Sequence, residues 1–187
     1  MEARLPLATT RDCVRGLFLN GILDAVHALG DGTAVRHCQV ACGHERFLEL
    51  LDYPISVNLR LVSTAMYALA VRQGGTEEAL RRLGRRAGLS FLGSPGGRAL
   101  LLLGRGNPKR LLSSLPLAYQ TSVSFGERKV TWVGHARGLI TMKREFLPAP
   151  FHEGTLLALL DASSALNPKV VGRQRDVLDS EYEVSWD

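Results

Sequence analysis

Cysteine is scarce in this sequence. Cys13, Cys38 and Cys42 are three, an odd number, in a chain of 187 residues. A chain that long can bury a full core without disulfide staples, so a cystine framework is excluded and a reducing compartment is expected. Aromatic residues are also few, at 6%, and the basic segments lack the interleaved rings on which single-stranded nucleic acid stacks. No apolar run, Ala99 to Leu103 included, approaches the length of a membrane span. The opening Met-Glu-Ala-Arg-Leu-Pro lacks a basic stretch followed by an apolar run and a small-residue cleavage site. A soluble cytoplasmic protein is expected. With 45% hydrophobic and 22% charged residues, the composition suits one globular domain over residues 1–187, and neither disorder nor a coiled coil.

Motifs of catalysis and metal binding are missing as well. Ser94 lies between glycines in Gly93-Ser94-Pro95-Gly96, but without the spacing of a nucleophile elbow. His44-Glu45 and His152-Glu153 each open like a metalloprotease helix, yet Leu48 and Leu156 stand where the second histidine belongs. Gly104-Arg105-Gly106-Asn107 precedes a helix and could hold an anion on its amides. It lacks the lysine-hydroxyl pair of a phosphate loop, and a cap and turn explain it fully. His37, Cys38, Cys42 and His44 crowd eight residues, but four ligands on one short helix do not converge on an ion, so structural cysteines are expected and metal binding stays open. No catalytic residue, metal or cofactor is assigned.

What the sequence does carry is local positive charge and a change of period. Residues 76–115 hold eight basic groups and two acidic ones, whereas residues 1–75 balance at seven of each. The excess centres on Arg81, Arg82, Arg85 and Arg86, opposite Leu80, Leu83, Ala87 and Phe91 on an amphipathic helix. A solvated helix face is the plain reading. A phosphate- or nucleic-acid-binding surface, extended by Arg105, Lys109 and Arg110, is the alternative, and nucleic acid is not favoured without a defensible docking motif.

Helical spacing runs from Thr10 to Leu29 through Val14, Leu17, Phe18, Ile22 and Val26. Shorter helices are predicted over Thr33–Cys42 and His44–Leu51. A longer one follows Pro54 through Leu59, Val62, Met66 and Leu69, and others span Thr76–Leu92, Arg98–Leu103 and Pro108–Tyr119. From Ser122 the period becomes two. A hairpin is predicted from Val123 and Phe125 through a Gly126-Glu127-Arg128 turn to Val130 and Trp132, with a third strand over Gly138–Phe146. A helix over Phe151–Ala165 and strands over Lys169–Arg173 and Glu181–Trp186 complete the chain. The expected class is α+β, a helical amino-terminal two-thirds packed on a carboxy-terminal antiparallel sheet in the order strand-strand-strand-helix-strand-strand.

Several phrases resemble a known family. Arg15-Gly-Leu-Phe-Leu-Asn-Gly-Ile-Leu looks like its first helix, and Glu78-Ala-Leu-Arg-Arg-Leu-Gly-Arg-Arg-Ala like its middle one. Asn107-Pro-Lys-Arg-Leu-Leu, Leu115-Pro-Leu-Ala-Tyr and the closing Glu181-Tyr-Glu-Val-Ser-Trp resemble its later segments. It is a domain-of-unknown-function family of similar length, found as many paralogues in myxobacteria. More distantly, Phe151-His-Glu-Gly-Thr-Leu-Leu before the last helix and Tyr182-Glu-Val-Ser-Trp after it resemble the fold of heme nitric-oxide sensors, 4-vinyl-reductase-type ligand domains and related trafficking subunits. That likeness implies a pocket between helices and sheet, and a helical surface used for pairing.

The sensors' heme signature is missing. No histidine lies between Glu45 and Gly134, and Tyr119-Gln-Thr-Ser-Val departs from their Tyr-x-Ser-x-Arg cluster, so heme is not expected. The reading is a non-enzymatic regulatory or interaction module, sensing a small apolar ligand and pairing with itself or another signalling protein. Its pocket is expected from Leu17, Phe18, Ile22, Leu59, Val62, Met66, Phe125 and Trp132, although such stripes also serve simply as core.

Overall fold

The computed structural model describes residues 1–187. After a 3₁₀ turn over Glu2–Leu7 come β1 (Cys13–Arg15), α1 (Gly16–Leu29), α2 (Gly32–Cys42), β2 (Asp52–Pro54), α3 (Ile55–Gln73) and α4 (Thr76–Gly93). Then follow α5 (Pro95–Gly104), α6 (Pro108–Ser113), α7 (Leu115–Gln120), β3 (Glu127–Trp132), β4 (Arg137–Lys143), α8 (Ala149–Asp161), β5 (Lys169–Gln174) and β6 (Ser180–Ser185). The class is α+β, as the change of period implied.

Local chemistry sets most helix ends. Asp31 accepts from the Thr33 and Ala34 amides at 3.0 and 2.9 Å to start α2, and Ser94 and Asn107 do the same for α5 and α6, each followed by a proline that needs no partner for its nitrogen. Gly43 and Gly74 end α2 and α3 at φ of 75° and 82°, where a side chain would be strained. Pro116 falls in the first turn of α7 and splits the predicted Pro108–Tyr119 helix in two.

The main sheet has four antiparallel strands in the order β3-β4-β6-β5. Its register pairs Val130 with Ile140, Ile140 with Tyr182, and Tyr182 with Gly172. Ile140, Met142, Tyr182 and Val184 are buried on one face against α8. A second, small sheet pairs β1 with β2, and Val14 adds an isolated bridge to Val123.

Three expectations are corrected. Ser122–Phe125 is not a sheet strand: Val123 is drawn to Val14, Phe125 is buried, and Gly126 at φ 72° turns the chain into β3, which runs straight through Glu127 and Arg128. The sheet therefore has two strands before α8, not three. Residues 44–51 form no helix, because Asn20 clamps Phe47 through both main-chain groups at 2.9 Å and the Tyr53 hydroxyl accepts from the Leu48 amide at 3.0 Å. The first helix begins at Gly16 rather than Thr10. Residues 13–15 pair with β2, and a β-carbon on Gly16 would lie 2.2 Å from the Leu48 carbonyl oxygen.

The core has two parts, a larger one among α1–α4 and a smaller one joining α5, α6 and α8 to the sheet. Helices α4 and α8 join them. A β-carbon on Gly84 would stand 1.8 Å from the Phe151 carbonyl oxygen, and one on Gly154 would stand 1.9 Å from that of Arg81. Backbone touches backbone there, with no room for a methyl group. Gly84→Ala is expected to lower unfolding free energy by roughly 3 kcal/mol in urea titration. Gly21→Ala, whose methyl would find its nearest neighbour at an ordinary 3.6 Å, is expected to be neutral or up to about 1 kcal/mol stabilising.

Candidate functional site

Between the two parts of the core lies a cavity of about 100 Å³. Leu17, Phe18 and Ile22 of α1, Phe91 of α4, and Phe125, Phe151 and Leu159 make it mainly apolar, and Phe18 stacks on Phe91 at 5.4 Å. The remaining wall is polar: Asn58 at the start of α3, Tyr119 of α7, Glu145 after β4 and His152 of α8. A wider depression of about 620 Å³ at the edge of the sheet is lined by Gly126–Lys129 and neighbours, mostly polar.

The polar wall belongs to a buried charge cluster. The side chains of Arg128, Glu145 and His152 are only 3%, 4% and 4% exposed. The Arg128 guanidinium donates to the Glu145 carboxylate and to the Phe125 carbonyl, and lies 4.6 Å over the Tyr119 ring. The Leu147 amide donates to Glu145 Oε1 at 3.1 Å, and Arg4 donates to the Glu145 main-chain oxygen at 3.2 Å. His152 Nδ1 meets the Tyr119 hydroxyl at 3.1 Å. Its Nε2 is 3.3 Å from Glu145 Oε1, within ion-pair reach of a protonated ring, but not aligned as a hydrogen bond.

Burial pushes the Glu145 carboxyl up, but His152, Arg128 and the Leu147 amide outweigh it and hold the group at about 2. Burial pushes the Tyr119 hydroxyl up, and the nearby Glu145 charge adds to the effect. The carboxylate is thus paired within the cluster, while Arg128 Nε and His152 Nε2 are buried without a hydrogen-bond partner.

Asn58 differs. Its residue is 4% exposed, and its carboxamide oxygen is enclosed and accepts no hydrogen bond. Asn20, equally buried at 3%, satisfies both ends of its amide on Phe47. An unmet buried acceptor costs on the order of 1–3 kcal/mol.

Of the residues expected at a pocket, Leu17, Phe18, Ile22 and Phe125 line the cavity. Leu59, Val62 and Met66 are buried in the helical core outside its lining. Trp132 stands at the far end of the sheet, edge-on to Trp186, with Lys109 5.2 Å over its ring. The stripe Leu59–Met66 turns toward α2 and α4 instead, so only the first turn of α3 reaches the site.

The basic helix face is largely spent on internal pairs. Arg81 donates to Glu153 at 2.6 Å, Arg82 to Glu78 at 2.9 Å and Arg85 to Asp161 at 2.6 Å, which leaves Arg86 without a carboxylate. Cys38 and Cys42 point inward while His37 and His44 are exposed, so the four do not gather around one point. Burial pushes the Cys38 thiol up to about 11.

Tyr119, Arg128, Glu145 and His152 were not recognisable as a cluster in sequence. They are spread over residues 119–152 on four different segments, and Glu145 reads as the tail of a strand. Asn58 carried one faint signal, a polar residue on an otherwise apolar helix face.

Helices over one face of a four-stranded antiparallel sheet are the arrangement seen in H-NOX domains. An unliganded Fe(II) H-NOX protein from K. algicida superposes with a TM-score of 0.68 at 12% identity, covering 92% of this chain and 96% of that one. An oxygen-binding H-NOX domain related to soluble guanylate cyclases, in its oxygen complex, gives 0.67 at 14% identity, covering 92% and 95%. The chain itself belongs to the family described as protein of unknown function (DUF2378), whose model matches residues 7–187. No curated protein matches its sequence.

The charge cluster makes a pH prediction. The Glu145 carboxyl sits at about 2 in the fold against an ordinary 4.5, so its contribution to stability is complete above about pH 4.5 and disappears as pH falls through 2. Glu145→Gln is expected to lose about 3–5 kcal/mol at neutral pH, because it strands Arg128, and to lack that part of the acid slope. Urea titrations of both proteins between pH 7 and 2 measure both effects.

Proposed function

We propose that this domain is a non-enzymatic, ligand-sensing regulatory module, and that its ligand is a small molecule in the cavity rather than heme. The observation that carries the reading is the cavity itself, an apolar space with one polar wall, lying between the α1–α4 layer and the α7–α8 layer. A molecule there touches both layers, so occupancy changes how they sit on each other. The H-NOX fold supports a sensing role.

The residues do not suit a porphyrin. A macrocycle needs more than the roughly 300 Å³ at which pockets for drug-sized ligands begin, and this cavity has about 100 Å³, space only for a much smaller molecule. His152 is the histidine on its wall, and its nitrogens face Tyr119 and Glu145 rather than open space. The polar groups also argue against catalysis: the carboxylate is committed to Arg128 and the Leu147 amide, and no cysteine lines the cavity.

The output is contact with a partner protein or a second copy of the chain. A phosphate- or nucleic-acid-binding role is disfavoured by the internal pairing of Arg81, Arg82 and Arg85. Cytoplasmic residence is supported by three free thiols.

Thermal-shift screening of small, weakly polar compounds tests the reading. A ligand at 100 times its Kd adds about 2.7 kcal/mol, or roughly 5–10 °C in a domain of this size. Ala118→Leu, which fills space on the α7 wall, is expected to abolish that shift. Failure of every compound, with no xenon-induced change in the amide spectrum of cavity residues, would sink the pocket. A stoichiometric Soret-absorbing complex lost in His152→Ala would sink the non-heme assignment.

A further inference from the structure

We propose that the cavity takes an uncharged molecule of about the size of one six-membered ring, and that a hydroxyl on it is bound by Asn58. This inference rests on the pocket reading above and adds the chemistry of its ligand.

Size comes first. An engineered apolar cavity of about 150 Å³ accepts benzene, and the smaller space of about 100 Å³ here makes a short chain or a single ring, seated with a slight shift of the walls, the upper limit. Charge comes next. Glu145 is on the cavity wall, whereas its cationic partner Arg128 is behind the lining. An anionic ligand would meet the carboxylate. A cationic one would lose its water to a carboxylate already paired with Arg128 and bonded by the Leu147 amide. A neutral molecule meets neither cost.

The polar groups of the wall then select the functional group. The Ser122 hydroxyl donates to the Ala118 carbonyl at 2.6 Å, and that of Thr155 donates to the Gly84 and Phe151 carbonyls, each at 3.2 Å. The Tyr119 hydroxyl is held by His152. Two wall atoms remain without a hydrogen-bond partner: His152 Nε2, which is turned to the Glu145 carboxylate at 3.3 Å, and the Asn58 oxygen, which is enclosed and has no donor. A carboxamide both donates and accepts, and a hydroxyl does the same, so the two are complementary whichever way the amide is turned. A hydrocarbon of the same shape leaves the amide unmet, and a site built around a polar group discriminates against ligands that cannot reach it.

Calorimetric titration of the full chain with phenol and with benzene, on wild type and on Asn58→Leu, tests the assignment. Phenol is expected to bind wild type at least tenfold more tightly than benzene. Asn58→Leu, which replaces the amide by an apolar side chain of similar size, is expected to remove or invert that preference. Equal affinity of the two probes for wild type overturns the Asn58 assignment and leaves the pocket standing. A phenol preference that survives in Asn58→Leu also overturns it. If neither probe binds wild type, the pocket reading and this inference fail together. Should Asn58→Leu not fold, Asn58→Ala is titrated in its place, and a phenol preference that survives there overturns the assignment.

Discussion

Helices α4 and α8 meet backbone to backbone, and the layering of the domain depends on that approach. Gly84 and Gly154 present no side chain where the chains touch, and Gly88 faces Ala158 a turn further along. Because α8 also covers the sheet, its distance from α4 sets the distance from the helical layer to the strands. Glu153 ties the three layers together, accepting from Arg81 of α4 at 2.6 Å and from the Gly172 amide of β5 at 2.7 Å. A carboxylate bound this way, 11% exposed at its side chain, fixes orientation as well as separation.

The same approach explains why a cavity exists beside it. Where glycines let two helices close up, the larger side chains on either flank must spread, and Phe91, Phe151 and Leu159 border the space that results. On its far side the Arg128–Glu145–His152 cluster prevents collapse. Charges held 3% to 4% exposed cannot slide into an apolar void without losing their partners. The cavity is thus framed by a rigid backbone contact on one side and a compensated charge set on the other. Asn58 is a wall residue whose side-chain oxygen neither arrangement serves.

A shared fold at 12% to 14% identity carries the scaffold and not the chemistry. This chain shares the helices and the four strands, and the polar side of its cavity is made by its own residues.

Residues near one another along the chain set the local elements. Helical spacing in α1, α3 and α4, the cap at Asn107, and alternation in β6 depend on residues within a turn or a strand of one another, and these were legible. So was the class, since the change from period 3.6 to period two near residue 122 needs no tertiary information. What failed was set at long range. The Ser122–Phe125 segment alternates like a strand, yet Val14, more than a hundred residues away, decides where it goes. Residues 44–51 could be helical until Asn20 claims Phe47. The site lay beyond reading for the same reason: Leu17, Phe18 and Ile22 share a helix face with the core, and only packing says which part of a stripe meets a void. Tyr119, Arg128, Glu145, His152 and Asn58 become one wall only because tertiary structure buries them together, where loss of water makes each depend on the others.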